Sequence, residues 1–288
     1  MSSIAYISDE RMIEFHRSNG HRSINFWRLS TKRFERFDVG SLLFFIDKRY
    51  IHPVTKEKGI IGYGRARSVR TMSIKRTWDE YQYMNGYKDY PSFHESIMNA
   101  TKDGEAPKQI QSIELDHVVF FKGPVFLSEV DFVLPSRLES FLYLVDGGRD
   151  VAIDLLKKAE TIGIDQWFAA INARVEMNLI YEDIHEQTIR NAISDIAVTW
   201  TQLQENLTYN IENTSRIGPI AYQYTERLTK IYLPSSSIKN HFYELLGIIT
   251  WLKKELEVYQ LEFVIVSKTS MRDFEDQFKR LKLTPLYI

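Results

Sequence analysis

The stretch INFWRLSTKRFERFDVGSLLFFIDKRY, residues 24–50, joins a mixed aromatic and basic segment to an apolar run. Its two ends, 24–28 and 40–46, are short, rich in apolar residues and bounded by turn-forming residues, which is typical of β-strands. Three aromatic residues stand among Arg and Lys residues in it: Trp27, Phe34 and Phe37. This pattern fits a nucleic-acid surface, and it fits equally a β-rich core whose solvent faces are basic.

Charge is distributed unevenly along the 288 residues, although the formal net charge is only −1. Residues 17–76 hold 15 Lys and Arg against 4 Asp and Glu, whereas residues 101–288 hold 20 against 27. A basic first half is typical of proteins that bind polyanions, and an acidic second half favours contacts with protein. A solvated basic face explains the same counts.

Several function classes are excluded by residues and motifs that the sequence lacks. There is no Cys, which excludes disulfide scaffolds, Cys-ligated zinc and thiol catalysis. The acidic residues near the N-terminus do not suit a signal peptide, and no apolar run is long enough to cross a bilayer. No P-loop, dinucleotide fingerprint or G-x-S-x-G motif occurs. We therefore expect a cytoplasmic protein without a membrane segment, and we predict no cofactor, no metal site and no catalytic residue.

The first half of the chain carries further strand signals around one helical segment. Residues 53–59 have the Pro and Gly of a hairpin turn, and 60–66 follow as a strand whose glycines allow close approach. The spacing predicts a helix from Ser73 to Met84, before a turn signal at NGY. These elements predict a β-rich domain over residues 1–146.

After residue 146 the apolar period becomes helical, and the last 60 or so residues read as two strand–helix units. The sequence thus predicts, for residues 147–288, a mainly helical domain that ends in a small α/β unit. Six apolar residues with steps of 4, 3, 4, 3 and 4 form a coiled-coil-like seam: Ile189, Ile193, Ile196, Trp200, Leu203 and Leu207. Such a seam serves either oligomerisation or the interior of an ordinary helical bundle.

Five segments of the first half occur in an order that resembles a known family. They are HRSINFWRLS, SLLFFID, GIIGYGRA, TWDEYQYMNGY and HVVFFKGPVFL. Over residues 18–145 they resemble the PUA-like domain of the EVE/ASCH kind that precedes HNH nuclease domains in bacterial restriction and defence proteins. The resemblance implies an α+β fold that begins with a PUA-like β-barrel carrying an inserted helix. It also implies a basic-rimmed aromatic pocket that accepts a base flipped out of its duplex.

The resemblance further implies which residues would serve such a pocket. Trp27 and Trp78 would lie near it, with Tyr63 after the close-packed glycines. Asn25 would bind a base edge. The phosphate contacts would come from three arginines: Arg28, Arg65 and Arg67. Flipping a base costs a few kcal/mol, and stacking on an aromatic side chain returns about 1–3 kcal/mol per base.

The downstream sequence departs from the family, because the seven histidines do not form an HNH site. We therefore expect a nucleic-acid-binding protein that senses modified bases in restriction or antiphage defence, with DNA as the first expectation and RNA as the alternative. Its second half would form a homo-oligomer or recruit an effector protein.

Two alternatives stay open. One is a metal-dependent nuclease whose carboxylates, such as Asp183 and Glu262, lie in the second half. The other is a protein-interaction module, for example a phage-encoded one, in which the base pocket is vestigial.

Overall fold

The computed structural model describes residues 2–101, 105–132, 140–172, 178–199, 211–225 and 228–288. For residues 178, 198 and 199 it describes the backbone alone. Contacts divide the chain into two compact units, Met1–Ile184 and His185–Ile288. The predicted boundary lay after residue 146. The contacts divide later because the helix Val151–Ile162 packs against the long strand Ile110–Val125 of the first unit.

A mixed six-stranded sheet forms the centre of the first unit. Its strands are β1 (Ile4–Ile7), β2 (Ile24–Arg28), β3 (Leu42–Ile51), β4 (Lys58–Met72), β5 (Ile110–Val125) and β6 (Phe141–Tyr143). They are ordered β2-β5-β4-β3-β1-β6, with β1 parallel to β3 and the other neighbours antiparallel. Within the described ranges β2 and β6 stay at opposite edges, so the predicted barrel is an open sheet here.

The middle of this sheet is held together by apolar side chains and one close backbone approach. The first half of β3 is buried, because LLFFI supplies apolar residues to both faces of the sheet. A Cβ atom at Gly62 in β4 would lie 2.4 Å from the carbonyl oxygen of Val119 in β5, so glycine is required there. The pairing of β4 with β5 shifts register beside this glycine, which marks a β-bulge.

Helices of the first unit begin at polar caps that the sequence supplies. They are α1 (Glu10–Ser18), α2 (Ile74–Tyr81), α3 (Tyr90–Ala100), α4 (Val151–Ile162) and α5 (Gln166–Ile171). Their N-caps are Asp9, Ser73, Asp89, Asp150 and Asp165, whose side chains accept backbone N–H groups of the first turn. The predicted helix 73–84 corresponds to α2 and the 3₁₀ turn Gln82–Asn85 that follows it. A short hairpin, β7 (Val145–Asp146) with β8 (Arg149–Asp150), precedes α4.

The second unit is built on a five-stranded sheet ordered β13-β12-β11-β10-β9. Its strands are β9 (Ser215–Ile217), β10 (Ile220–Tyr224), β11 (Thr229–Pro234), β12 (Leu261–Ser267) and β13 (Leu283–Tyr287). The helices α7 (Lys239–Glu255) and α8 (Glu275–Leu281) connect the parallel strands β11, β12 and β13. The chain is thus of mixed helix and sheet, as predicted.

The predicted oligomerisation seam falls on α6 (Asn178–Thr199), the helix within which the two units divide. Ile189, Ile193 and Ile196 are buried in the core of the second unit with residues of its sheet and of α7. Since one chain already covers these three side chains, they present no seam to a second copy. The remaining three positions, Trp200, Leu203 and Leu207, lie outside the described residues.

None of the helices in the described ranges combines the length and apolar character that crossing a membrane requires.

Candidate functional site

A cavity of about 410 Å³ lies along β2 in the first unit, and we name it the edge cavity. Its lining includes Tyr6, Asp9, Phe26, Trp27, Arg28, Ser30 and Lys48. Ser30 and Lys48 are exposed, so the cavity opens to solvent beside them. Its volume is in the range of small-molecule sites.

Aromatic rings form one wall of the edge cavity. The ring of Tyr6 meets that of Phe26 edge-on, with 5.1 Å between centroids, and stacks on Phe141 at 5.9 Å. Phe26 in turn packs against Phe45 in the core of the sheet. Phe26 is 1% exposed and Phe45 is fully buried, whereas Tyr6 is half-buried, so a flat ligand in the cavity would meet chiefly the ring of Tyr6.

Arg28 brings a buried positive charge to the same cavity. Its Nε donates to Oε1 of Gln111 at 2.8 Å, a second guanidinium nitrogen donates to the carbonyl of Lys32, and its Cζ lies 3.7 Å from the ring centroid of Phe34. Within the described part of the chain, no carboxylate lies within 4.0 Å of this guanidinium. Burial lowers the pKa of Arg28, and the neighbouring Tyr6 opposes that shift.

A buried cation whose partners are neutral is costly unless a ligand compensates it. The cavity beside Arg28 therefore suits a ligand that presents an anion or a hydrogen-bond acceptor. Burial raises the pKa of Tyr6 in the same wall, and its hydroxyl, which is hydrogen-bonded with Arg28 and Ser140, stays protonated at neutral pH.

The strand that borders the cavity, β2, lies at an edge of the sheet and is nevertheless buried. In the described ranges β2 pairs only with β5 and is therefore an edge strand. One side of an edge strand carries N–H and C=O groups that no other strand binds. In this structure all five residues of β2 are buried, and the 3₁₀ turn Gln82–Asn85 contacts the strand.

Two of the site residues predicted from the sequence, Trp27 and Arg28, border the edge cavity. The indole Nε1 of Trp27 donates to the carbonyl of Asn85 at 3.3 Å, and its ring packs against Phe93. Trp27 therefore contributes to the cavity with part of its surface, while its indole nitrogen is already hydrogen-bonded.

Asn25 is fully buried, and its Nδ2 donates to Oδ1 of Asn85 at 2.8 Å. It presents no surface to a base. Trp78 is half-buried, packs against Tyr90 and Phe93, and does not line the edge cavity.

Tyr63 and Arg65 meet a carboxylate that is distant in the sequence. The hydroxyl of Tyr63 donates to Oδ2 of Asp183 at 2.6 Å, and Arg65 forms an ion pair with the other oxygen. Burial, with Asp183 as the next cause, raises the pKa of Tyr63 well above its usual value. Tyr63 is 0% exposed, and of the three predicted pocket aromatics, Trp27, Tyr63 and Trp78, Trp27 alone borders the edge cavity.

Arg67 is the predicted phosphate ligand that solvent reaches most freely, with 67% of its side chain exposed. Its Nε lies 3.9 Å from Oε1 of Glu114, a loose ion pair that leaves the guanidinium accessible. The two arginines have different carboxylate neighbours, because Arg65 pairs with Asp183 and Arg67 lies near Glu114.

The carboxylates considered for a nuclease have other partners. Asp183 holds Tyr63 and Arg65, and Glu262 forms an ion pair with Lys230 at 3.3 Å. Over the described ranges, no three His, Asp or Glu side chains are grouped closely enough to hold a metal ion.

Sequence reasoning missed Tyr6, Phe141 and Lys48, which lie on β1, β6 and β3. The alternation of INFWR does place Phe26 and Arg28 on one face of β2 and Asn25 and Trp27 on the other. This alternation was the available signal that Phe26 belongs with Arg28.

Comparison with solved structures gives a likeness over about half of the chain. A crystal structure of ASCH from Zymomonas mobilis has 14% identity and a TM-score of 0.35, covering 54% of this chain and 95% of that chain. A mutant form of the same protein has 12% identity and a TM-score of 0.36, covering 55% and 96%. TM-scores of this size do not establish a common fold, so the likeness supports no conclusion on function. No family model matches the sequence, and no curated protein matches it.

Proposed function

We propose that the first unit binds nucleic acid and holds one unstacked base in the edge cavity. The observation that carries this proposal is the buried guanidinium of Arg28, which has no carboxylate partner in the described part of the chain and lies beside an aromatic wall. A nucleobase is flat, stacks on aromatic rings and presents carbonyl and ring-nitrogen acceptors. It therefore complements both features at once.

The charge of the surrounding sequence supports a polyanionic partner. Lys48 stands exposed at the mouth of the cavity, and the segment 17–76 has a large excess of Lys and Arg. Phosphate contacts by such residues supply a sequence-independent share of affinity that weakens as salt rises. The base would then be selected inside the cavity and the strand held outside it.

We further propose that the preferred partner is DNA and that modification of the held base alters affinity. The protein would serve in restriction or antiphage defence within the cytoplasm, and its second unit would bind an effector protein or a further copy of the chain. The resemblance of residues 18–145 to the EVE/ASCH kind of domain motivates these finer assignments.

Blocking the cavity tests the proposal. Ser30→Trp places an indole at the mouth, whereas Ser23→Trp places the same bulk at an exposed position outside the lining. Fluorescence anisotropy with short single-stranded and duplex oligonucleotides, plain, methylated and hydroxymethylated, should show about ten-fold or greater weakening for Ser30→Trp only. Equal binding by the parent and both variants would exclude the edge cavity as the base site.

A further inference from the structure

A second cavity, of about 400 Å³, lies next to the edge cavity, and we name it the face cavity. The residues that matter in its lining are Thr31, Arg33, Phe34, Val69, Thr71 and Gln111. It combines apolar walls with hydroxyl groups, an amide, the carboxylate of Asp38 and an exposed guanidinium.

Strand register places the two cavities side by side on one face of the sheet. Arg28 in β2 pairs with Gln111 in β5, and Gln111 pairs with Thr71 in β4. Directly paired residues project to the same face of a sheet. Arg28 lines the edge cavity while Thr71 lines the face cavity, and their strands are separated by two strand spacings, about 10 Å.

The adjacent row of the sheet repeats this arrangement. Phe26 pairs with Ile113, and Ile113 pairs with Val69. Phe26 lines the edge cavity and Val69 lines the face cavity. In both rows, therefore, the β2 residue lines the edge cavity and the β4 residue lines the face cavity.

Arg28 and its partners form the partition between the cavities. The guanidinium contacts Gln111 and the ring of Phe34, both of which line the face cavity. The loop after β2 crosses from one cavity to the other, because Ser30 lines the first and its neighbour Thr31 the second. Both residues are exposed, so the two cavities reach this loop at neighbouring residues.

We infer that the face cavity binds the nucleotide next to the one held in the edge cavity, so that the first unit reads two successive nucleotides of one strand. This inference rests on the proposed function and extends it. Phe34 and Val69 offer apolar surface to the second base, and Thr31, Thr71 and Gln111 offer hydrogen bonds. Arg33 is exposed and has no carboxylate within 4.0 Å in the described ranges, which leaves it available to a phosphate.

Binding of mononucleotides and dinucleotides of the same base, measured by calorimetry on the full chain, tests the inference. The parent should bind the dinucleotide about ten-fold more tightly than the mononucleotide, because a second base is stacked. Thr71→Trp fills the face cavity. It should reduce the affinity for the dinucleotide to that for the mononucleotide, and it should leave the affinity for the mononucleotide unchanged. Thr161→Trp, at an exposed threonine on α4, is the matched control and should keep the ten-fold difference.

The outcomes separate this inference from the proposed function. Mononucleotide binding without any gain from the second nucleotide would overturn the inference alone, and so would a gain that survives in Thr71→Trp. No binding of either ligand would overturn the proposed function and the inference with it. Since a bulky residue in β4 can disturb the sheet, Thr31→Trp fills the same cavity from the exposed loop and should give the same loss.

Discussion

The guanidinium carbon of Arg28 lies 3.7 Å from the ring centroid of Phe34, and this pair separates two neighbouring cavities of the first unit. The flat guanidinium stacks on the ring while its edge donates to Gln111 and to the carbonyl of Lys32. The pair thus fixes a positive charge at the place where both cavities would meet a ligand.

Arg28→Met tests whether this charge serves binding more than stability. The substitution keeps a long apolar side chain, removes the cost of a buried cation and leaves Gln111 and the Lys32 carbonyl without a donor. These effects oppose each other, so we expect the free energy of unfolding to change by no more than about 1 kcal/mol. Oligonucleotide affinity should fall ten-fold or more. Denaturation curves and anisotropy titrations measure the two quantities, and an affinity equal to that of the parent would remove Arg28 from the site.

Tyr63→Phe should affect stability and leave binding unchanged. The substitution removes the hydroxyl that donates to buried Asp183 at 2.6 Å, which costs about 1–3 kcal/mol in the free energy of unfolding. Tyr63 does not line the edge cavity, so oligonucleotide affinity should equal that of the parent. A loss of affinity at unchanged stability would mean that Tyr63 does belong to the binding site, as predicted from the sequence.

Lys48→Ala should make binding less dependent on salt. Each phosphate contact contributes about 0.9 to the slope of log affinity against log salt concentration on duplex DNA, so the slope should fall by about 1. Lys75→Ala is the control, because Lys75 is exposed but already paired with Asp79 on α2. Equal slopes for the parent and Lys48→Ala would show that no phosphate lies at the mouth of the edge cavity.

A buried histidine, His16, beside the half-buried His21 predicts loss of stability in mild acid. Nδ1 of His16 lies 2.9 Å from Nδ1 of His21, and burial, followed by the His21 charge, lowers the pKa of His16 from 6.5 to about 3. Unfolding raises that pKa, so the stabilisation is complete above pH 6.5 and decreases as pH falls from 6.5 towards 3. His16 contributes at most about 1.4 kcal/mol per pH unit to the slope of the free energy of unfolding against pH.

His16→Gln should remove the contribution of His16 to the pH dependence of the free energy of unfolding between pH 6.5 and pH 5, as measured by urea denaturation. His94→Gln, at a half-buried histidine on α3, is the matched control for the exchange of a histidine for glutamine. A parent slope that survives in His16→Gln would show that another group causes it.

Ile193→Ala distinguishes a core position from an oligomer contact. Ile193 is fully buried in the second unit, so the truncation should cost about 2–5 kcal/mol in the unfolding of that unit. Sedimentation should give the same oligomeric state as the parent. Dissociation of an oligomer at unchanged stability would mean that the residue lies between copies.

Local sequence was sufficient for the strands that carry long apolar runs. The expected strands 24–28, 40–46 and 60–66 lie within or overlap β2, β3 and β4, because alternation and turn residues are local signals. β1 was missed because it has four residues and is stabilised by parallel pairing with β3, 39 positions later at Ile4 and Leu43. The helix α1 carried a local signal, since Asp9 caps it, but that signal was not used.

The site was harder to predict because its residues come from separate strands. Arg28 and Trp27 were found in one segment, whereas Tyr6, Phe141 and Lys48 reach the same region only through the order of β1, β3 and β6 in the sheet. Tyr63 and Arg65 looked available because their partner, Asp183, is more than 100 residues away. A carboxylate at that separation leaves no trace in local periodicity.

The most direct test follows the Arg28 Nε–H and Trp27 indole resonances by NMR while a mononucleotide is added to the full chain. If one base occupies the edge cavity, both resonances shift and saturate together. The indole of Trp167, which is 59% exposed and does not line the cavity, should keep its position. Saturable nucleotide binding that leaves Arg28 and Trp27 unmoved, or no binding at all, would contradict the account.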